Sequence, residues 1–332
     1  MSMQAFDALN RETITARADV KDAFGEAVRE GLSRAPRELP SRYLYDEIGS
    51  LLYDVITRLP EYGLSRADER ILSTHAASIV RHLPDKVIVA ELGSGSGRKS
   101  RPLLEVLAGR TTPLIYVPID ISPTALNNCR KELTGVGGLS LVGLERSYLE
   151  GLEEVSRRRP PDHALLVLFI GSTLGNFERD AAEVFLTQIR QALQPGDALL
   201  LGTDLEKPAA DLLPAYDDPL GVTAAFNRNI LARINRELQG TFVLDRFQHC
   251  VRYDDLHRRI EMHLRADRPH TVHIRGAGLS CRFEAGETIC TEACHKFDVD
   301  ELRVMAHRNG FRCEAQWMDR EWPFAESLWL AG

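Results

Sequence analysis

From Val87 onward the chain alternates between short apolar runs and amphipathic stretches. "VIVAELGSGSG" is followed by the periodic "KSRPLLEVLAG", then by "PLIYVPIDIS", a helical "PTALNNCRKEL" and "ALLVLFIGSTLGNF". Runs rich in Val, Ile and Leu that close on glycine turns predict strands, and the 3.6-residue spacing between them predicts helices. Such alternation predicts an α/β doubly wound parallel sheet, which takes its ligands at the carboxyl ends of the strands. In "AAEVFLTQIRQALQPGDALLLGTDL" a helix ends at Gln-Pro-Gly-Asp and an apolar strand, Ala198 to Gly202, returns to the sheet. These signals place a nucleotide-type domain at residues 67–205.

The later pattern is different. "RRIEMHLRA" and "TVHIRGAG" read as short strands, "EAGE" as a turn, Val299 to Asn309 as a helix, and the segment after Gly310 as a terminal pair of strands. That is antiparallel chemistry, which packs beside the parallel sheet or extends it. The first 65 residues are mainly helical and too few to bury themselves. Residues 1–66 plus 206–332 are therefore expected to form a second, α+β, substrate-binding domain built from both chain ends.

Composition narrows the function. The 332 residues are 44% hydrophobic and 27% charged, enough for a large core. A net charge of −7, with acids and bases interspersed, argues against nucleic acid as a partner. Six cysteines without CxxC spacing read as reduced thiols, which points to the cytoplasm and to no metal site. The N-terminal stretch has no apolar signal core and no run reaches about eighteen apolar residues, so no membrane association is expected. A monomer acting on a small molecule is the expectation.

Gly93, Gly95 and Gly97 let the backbone turn sharply after a strand and approach a ligand without a Cβ in the way. The next strand ends in Asp120, where a carboxylate can accept hydrogen bonds from both ribose hydroxyls of a nucleoside. Loop and acid together indicate an adenosine ligand, either NAD or S-adenosylmethionine. The G-x-G-x-G spacing and the 65 residues before the first sheet strand favour the latter. Arg98, Lys99 and Arg101 open the next helix; Lys99 is the candidate for a ligand carboxylate, and the two arginines read as a solvated face. Ser147 and Tyr148 stand where the third strand should end, placed to hold an adenine edge and face, although Tyr148 reads equally well as core.

"FIGSTLGNF" delivers Ser172, Thr173 and Asn176 past the fourth strand. An amine that is to be methylated must present a lone pair, and an amide such as Asn176 can orient it; a turn-stabilising Asn is the plainer reading. "AYDDPLGVTAAFNRNIL" gathers polar and aromatic residues, some of them helix caps. In "TICTEACHKF" strand alternation puts Glu292 and Cys294 on one face, where a carboxylate can grip an N–H of a polar ring. An ordinary surface ion pair would also explain Glu292.

These segments, with "SRYLYDEIGSLLYDVITRLPEYGLSRADERIL", "ELGSGSGRKSR", "LLLGTDLEK" and "RIEMHLRA", resemble the S-adenosylmethionine-dependent histidine Nα-methyltransferases of ergothioneine biosynthesis from about Leu39 to the C-terminus. The resemblance implies a Rossmann-type class I methyltransferase domain, S-adenosyl-L-methionine as cofactor, and conversion of L-histidine to hercynine in three methylations. Gly93, Lys99 and Asp120 match the family's cofactor contacts, while Ser147 and Tyr148 fall where the family has an acid and an aromatic. Tyr62, Asn176 and Tyr216 match residues that hold the α-amino and carboxylate groups; Glu292 matches the carboxylate for the imidazole, and Met262 lines the same pocket. Tyr45 and Tyr53 stand where the family puts rings around the methylated nitrogen, so the resemblance gives them, with Asn176, a catalytic part. Cys294 departs from it, because the family usually carries serine there. Another aromatic amino acid or a histidine derivative is the alternative substrate; a silent S-adenosylmethionine-binding protein is the alternative class.

Overall fold

The structure, a computed structural model, describes residues 16–332; the first fifteen residues of the expected second domain lie outside the described part. The chain divides into two compact units. One comprises Leu64–Glu206 and Lys296–Gly332, the other Lys207–His295 together with described residues up to 63.

A two-residue strand, β1 (Arg37–Glu38), precedes the series β2 (Val87–Leu92), β3 (Leu114–Asp120), β4 (Leu139–Leu141), β5 (Leu144–Glu145), β6 (Ala164–Phe169) and β7 (Ala198–Asp204). After these come β8 (Phe247–Asp254), β9 (Arg259–Ala266), β10 (His270–Ile274), β11 (Leu279–Phe283), β12 (Thr288–His295), β13 (Phe311–Asp319) and β14 (Phe324–Ala331).

In the first unit the sheet order is β13-β14-β7-β6-β2-β3-β4, with β5 beside the end of β3. Strands β2 to β7 pair in parallel and β14 runs antiparallel to β7. This is the order of a class I methyltransferase sheet, reversed at β2 and closed by an antiparallel hairpin. Because helices cover both faces, β2 and β7 are buried at every position, as their continuous apolar runs require. The helices Arg101–Arg110 and Gly63–Val80 contribute to one core, and Tyr148–Arg158, Arg179–Ala192 and Val299–Arg308 to the other.

The C-terminal segment corrects the expected domain boundary. Residues 296–332 belong with the parallel sheet, not with the second unit, because β14 pairs with β7 along its length and places Leu328 in one core and Trp329 in the other. A hairpin can extend a parallel sheet only as an antiparallel edge, and the alternation of "FAESLWLA" between the two faces is what that edge needs.

A buried ion pair fastens this segment. Lys296 Nζ lies 2.8 Å from Asp204 Oδ2, both side chains wholly out of water, and Trp322 Nε1 donates to Asp204 Oδ1 at 2.8 Å. The Arg179 guanidinium donates to the Lys296 carbonyl at 2.9 Å and stacks on the Phe297 ring.

The second unit is a four-stranded sheet, β1-β12-β9-β8, with a separate β10-β11 hairpin and the helices Ala16–Ser33, Glu47–Ile56, Ala209–Tyr216 and Val222–Leu238. The Glu47–Ile56 helix starts at Asp46, whose carboxylate caps Gly49 N at 2.8 Å and accepts from Asn229 Nδ2 at 2.7 Å. Gly49 allows the approach of the preceding turn, since a Cβ there would lie 1.7 Å from the Leu44 carbonyl oxygen. Asp218 caps the Val222–Leu238 helix through Thr223 N at 2.7 Å. Among the described residues no helix is long and apolar enough to cross a membrane.

Removing one partner of a buried ion pair strands the other charge. Lys296→Met is expected to lower the free energy of unfolding in urea by about 3–5 kcal/mol, and Lys296→Met with Asp204→Leu to recover much of that loss. A neutral single variant would show that the pair does not fasten the C-terminal segment.

Candidate functional site

In the first unit the glycine loop follows β2 directly. Gly93, Gly95 and Gly97 have φ of 73°, 52° and 70°, the left-handed region that only glycine enters freely. Each meets a different neighbour. A Cβ at Gly93 would lie 3.1 Å from the Tyr148 hydroxyl and one at Gly97 would lie 2.7 Å from Cys129 Sγ, whereas the space over Gly95 is open. Gly95 N–H donates to Asp120 Oδ2 at 3.2 Å, and Ser122 N–H donates to Asp120 Oδ1 at 2.9 Å. Burial pushes the Asp120 carboxyl up despite these bonds. The structure thus brings Gly93, Gly95, Asp120 and Tyr148 together at one end of the sheet.

Lys99 joins them. Its Nζ lies 3.0 Å from Asp68 Oδ2, and a Cβ on Gly171 would be 2.6 Å from that nitrogen, so the ammonium sits over the end of β6. Arg98 pairs with Glu69 at 2.6 Å, and Arg101 pairs with Glu105 at 2.9 Å. Both arginines therefore have local partners, as a solvated face would.

Glu91, inside β2, accepts the Tyr116 hydroxyl at 2.5 Å and is 2% exposed. Burial raises its carboxyl to about 7, against the lowering effect of the Tyr116 hydroxyl and of Lys99.

Ser147 stands at the start of the helix that carries Tyr148. It caps the Tyr148–Arg158 helix, its hydroxyl donating to Glu150 Oε2 at 2.6 Å and its N–H to the same oxygen at 3.3 Å. A serine followed three residues later by glutamate is a capping-box signature, and the local bond accounts for the side chain.

Beyond β6 the chain turns at Ser172, with φ of 60°, into a single 3-10 turn, Thr173–Asn176. Ser172 Oγ accepts the Asp204 N–H at 2.9 Å, tying this loop to the end of β7. Asn176 ends the turn, half-buried, in the same unit as the glycine loop.

The second unit assembles a chain of rings. Tyr45 and Tyr53 are 5.4 Å apart, and Phe226 lies 5.3 Å from Tyr45 and 6.0 Å from Tyr53. Tyr53 continues to Tyr62 at 6.3 Å, and Tyr62 to Tyr216 at 6.1 Å. Most of these pairs are edge-to-face, the arrangement favoured by ring quadrupoles. Desolvation, with Tyr53 and Tyr216 alongside, lifts the Tyr62 hydroxyl well above the ordinary tyrosine range, so at neutral pH it keeps its proton.

Tyr216 ends the row on the sheet. Its hydroxyl donates to Cys294 Sγ at 3.1 Å, with both side chains buried. In the antiparallel register Glu292 stands opposite Met262, just after an irregularity between Cys290 and Glu292. Glu292 and Met262 are buried as well, which excludes a surface ion pair for Glu292. The turn around Tyr216 is held from behind: His249 Nε2 bonds the Tyr216 carbonyl at 2.9 Å, and Asn227 Nδ2 bonds His249 Nδ1 at 2.8 Å. Asn227 Oδ1 accepts the Thr291 hydroxyl at 2.6 Å, beside Glu292.

Phe226 in the row of rings, Asp68 beside Lys99, and Glu326, which lies against Asp68, are residues that sequence reasoning gave no role. For Asp68 the signal was present: in "GLSRADERIL" it falls on the stripe of Leu64, Ala67, Ile71 and Leu72, where a helix facing a core carries apolar residues. Glu326 likewise interrupts the Phe324 and Leu328 face of β14.

The residues around the loop fit S-adenosylmethionine: open space over Gly95, a carboxylate at the end of β3 for ribose hydroxyls, an ammonium for a carboxylate, and an aromatic ring beside Gly93.

Comparison with known proteins agrees with this chemistry. The model of the family described as "Histidine-specific methyltransferase, SAM-dependent" matches residues 24–331. The chain is 40% identical over 310 residues to the histidine N-alpha-methyltransferase of Mycobacterium tuberculosis, covering 92% of this chain and 94% of that protein. It is 39% identical over 311 residues to the protein of the same name from Mycolicibacterium smegmatis, with the same coverage. Ergothioneine biosynthesis protein 1 of Schizosaccharomyces pombe is 30% identical over 300 residues, which are 86% of this chain and 38% of that protein.

Glu91 makes stability depend on pH. Its carboxyl stands at about 7 when folded against an ordinary 4.5, so its contribution is complete below about 4.5 and is lost as pH rises through about 7. The wild type is expected to lose up to about 3 kcal/mol relative to Glu91→Gln between about pH 5 and about pH 8. Parallel melting curves for the two proteins across that range would contradict this assignment.

Proposed function

The chain belongs to the S-adenosylmethionine-dependent, histidine-specific methyltransferases, and from that membership we propose that it methylates the α-amino group of L-histidine three times, giving hercynine for ergothioneine biosynthesis. The observation that carries the reading is the row of rings from the half-buried Tyr45 and Tyr53 through the buried Tyr62 to the buried Tyr216, ending on Cys294, two residues from the buried Glu292. It supports a site for an amino acid with a polar ring.

S-adenosylmethionine supplies a methyl group already activated by the positive charge of its sulfonium. What the protein must add is position, because an amine reacts only as the free base and only in line with the methyl carbon. In this reading Tyr62 and Tyr216 bind the substrate's α-carboxylate and α-amine, and Asn176 orients the nitrogen. A Tyr62 hydroxyl that stays protonated is a hydrogen-bond donor at neutral pH, so it serves binding rather than proton removal. Glu292 accepts an imidazole N–H, and Met262 packs beside it.

Tyr45 and Tyr53 contribute later in the series. As methyl groups accumulate the nitrogen becomes a quaternary cation that cannot donate hydrogen bonds, and ring faces then attract it by about 0.5–2 kcal/mol. Neighbouring Phe226 completes that aromatic wall. Gly93, Gly95, Lys99, Asp120, Ser147 and Tyr148 hold the cofactor in this reading, with Ser147 also capping the helix that carries Tyr148. The unit containing Leu64–Glu206 is thus the cofactor-binding domain of this proposal, and Lys207–His295 with residues before 64 the substrate-binding one. A monomer is part of the reading, as is a cytoplasmic location, the latter supported by six free cysteines.

Incubation with S-adenosylmethionine and a panel of amino acids that includes histidine and tryptophan, followed by mass spectrometry, tests the substrate. Histidine carrying three added methyl groups is the expected product; turnover confined to another amino acid would overturn the assignment.

Cys294 supplies a second test. A thiol is a weaker hydrogen-bonding group than a hydroxyl, and here it already takes the Tyr216 proton. Cys294→Ser is expected to bind histidine about three- to tenfold more tightly, the worth of one improved hydrogen bond. Calorimetry showing equal or weaker binding would sink the idea that the sulfur limits affinity.

A further inference from the structure

Next to the glycine loop the first unit buries three carboxyl groups around one ammonium. Asp68 and Glu326 are 0% exposed and Glu91 2%. Glu91 has the Tyr116 hydroxyl as a partner, and Asp68 Oδ2 has Lys99. Glu326 lies against Asp68, yet both its oxygens and Asp68 Oδ1 make no hydrogen bond of ordinary geometry among the described residues. Two glycines make room for the cluster. A Cβ at Gly202 would lie 2.5 Å from Glu326 Oε1, just as one at Gly171 would lie 2.6 Å from Lys99 Nζ. A larger residue in β7 or at the end of β6 would displace an acid or the base, so the fold makes space for groups that cost stability when buried.

We propose that the buried Asp68–Glu326 pair is a positioning device for Lys99, and through it for the carboxylate at the amino-acid end of the cofactor. The inference rests on the assignment of Lys99 to that carboxylate. Asp68 anchors the ammonium from the Gly63–Val80 helix, and Glu326 stands behind Asp68 on β14.

Charge decides how such a device behaves. Two facing carboxyls beside one ammonium cannot both ionise without leaving an uncompensated buried charge, so one holds a proton. Burial, followed by the negative charge of Asp68, drives Glu326 well above the usual carboxylate range, with Glu91 acting in the same direction and Lys99 opposing. While Glu326 is protonated, Lys99 and Asp68 cancel and a ligand carboxylate meets no net negative charge from the pair. Once it ionises, Asp68, Glu326 and Lys99 together carry a net charge of about −1, and the carboxylate is repelled. Affinity for the amino-acid end is therefore full below the folded pKa of Glu326 and falls as pH rises through it.

Two ligands separate this effect from the rest of the site. S-adenosylhomocysteine carries the amino-acid end, and 5′-methylthioadenosine lacks it. Their affinities are measured by calorimetry from about pH 6 to about pH 9.5, a range that includes the highest values of buried glutamates. In the wild type the S-adenosylhomocysteine affinity should fall about tenfold relative to that of methylthioadenosine. In Glu326→Gln, a neutral stand-in for the protonated acid, the ratio of the two affinities should change less across the range. The ligand's own amine titrates identically with both proteins and cancels from the comparison. If the ratio follows the same curve in both proteins, or if methylthioadenosine weakens as much as S-adenosylhomocysteine in the wild type, the proposal is overturned. If the variant does not fold, a wild-type ratio that stays constant across the range still overturns the proposal. Failure of the wild type to bind either ligand at any pH would instead overturn the cofactor assignment on which the inference rests.

Discussion

Withdrawal of ionisable groups from water is the constraint on which the rest of this structure depends. In the first unit, carboxyl groups on β2, β7, β14 and the Gly63–Val80 helix are buried almost completely, and each solves the cost differently. Asp204 takes a lysine and an indole N–H. Asp68 takes Lys99. Glu91 takes a tyrosine hydroxyl and a carboxyl pushed up to about 7. Glu326, set against Asp68, is driven well above the usual carboxylate range by burial. These solutions connect elements far apart in sequence, from residue 68 to residue 326, and they surround the end of the sheet where the glycine loop turns.

The second unit meets the same constraint with side chains that carry no charge at neutral pH. Tyrosines and Phe226 form its row of rings, and desolvation keeps the Tyr62 proton in place. An apolar aromatic wall suits a nitrogen that must react as a free amine and finish as a quaternary cation. Asp218 and Glu292 are buried exceptions among the described residues: Asp218 accepts N–H groups at a helix start, and in the proposed reading Glu292 meets the polar N–H of an imidazole. The Asn227–His249 network behind Tyr216 gives that part of the wall a fixed backbone.

Much of this was legible before the coordinates. The strand-glycine-helix rhythm from Val87 gives the parallel sheet, because residues buried on both faces must be apolar throughout. The positive φ of Gly93, Gly95 and Gly97 and the place of Asp120 beside Gly95 followed from the same logic. Two features did not. The residues after Lys296 read as antiparallel and were grouped with the other antiparallel strands; periodicity identifies a strand but not the sheet edge it joins, and the β14–β7 pairing spans more than a hundred residues. Asp68 and Glu326 each interrupt an apolar face, a mark the sequence carries, but only their mutual approach gives that mark a meaning.

The central claim is that the row of rings in the second unit surrounds a nitrogen as it is methylated. The product distribution of Tyr45→Ala and of Tyr53→Ala, followed over time with histidine and S-adenosylmethionine, tests it most directly. Loss of ring faces should slow the last methylation most, so that mono- and dimethylhistidine accumulate. Hercynine as the main product of both variants, formed at the wild-type rate, would contradict the account.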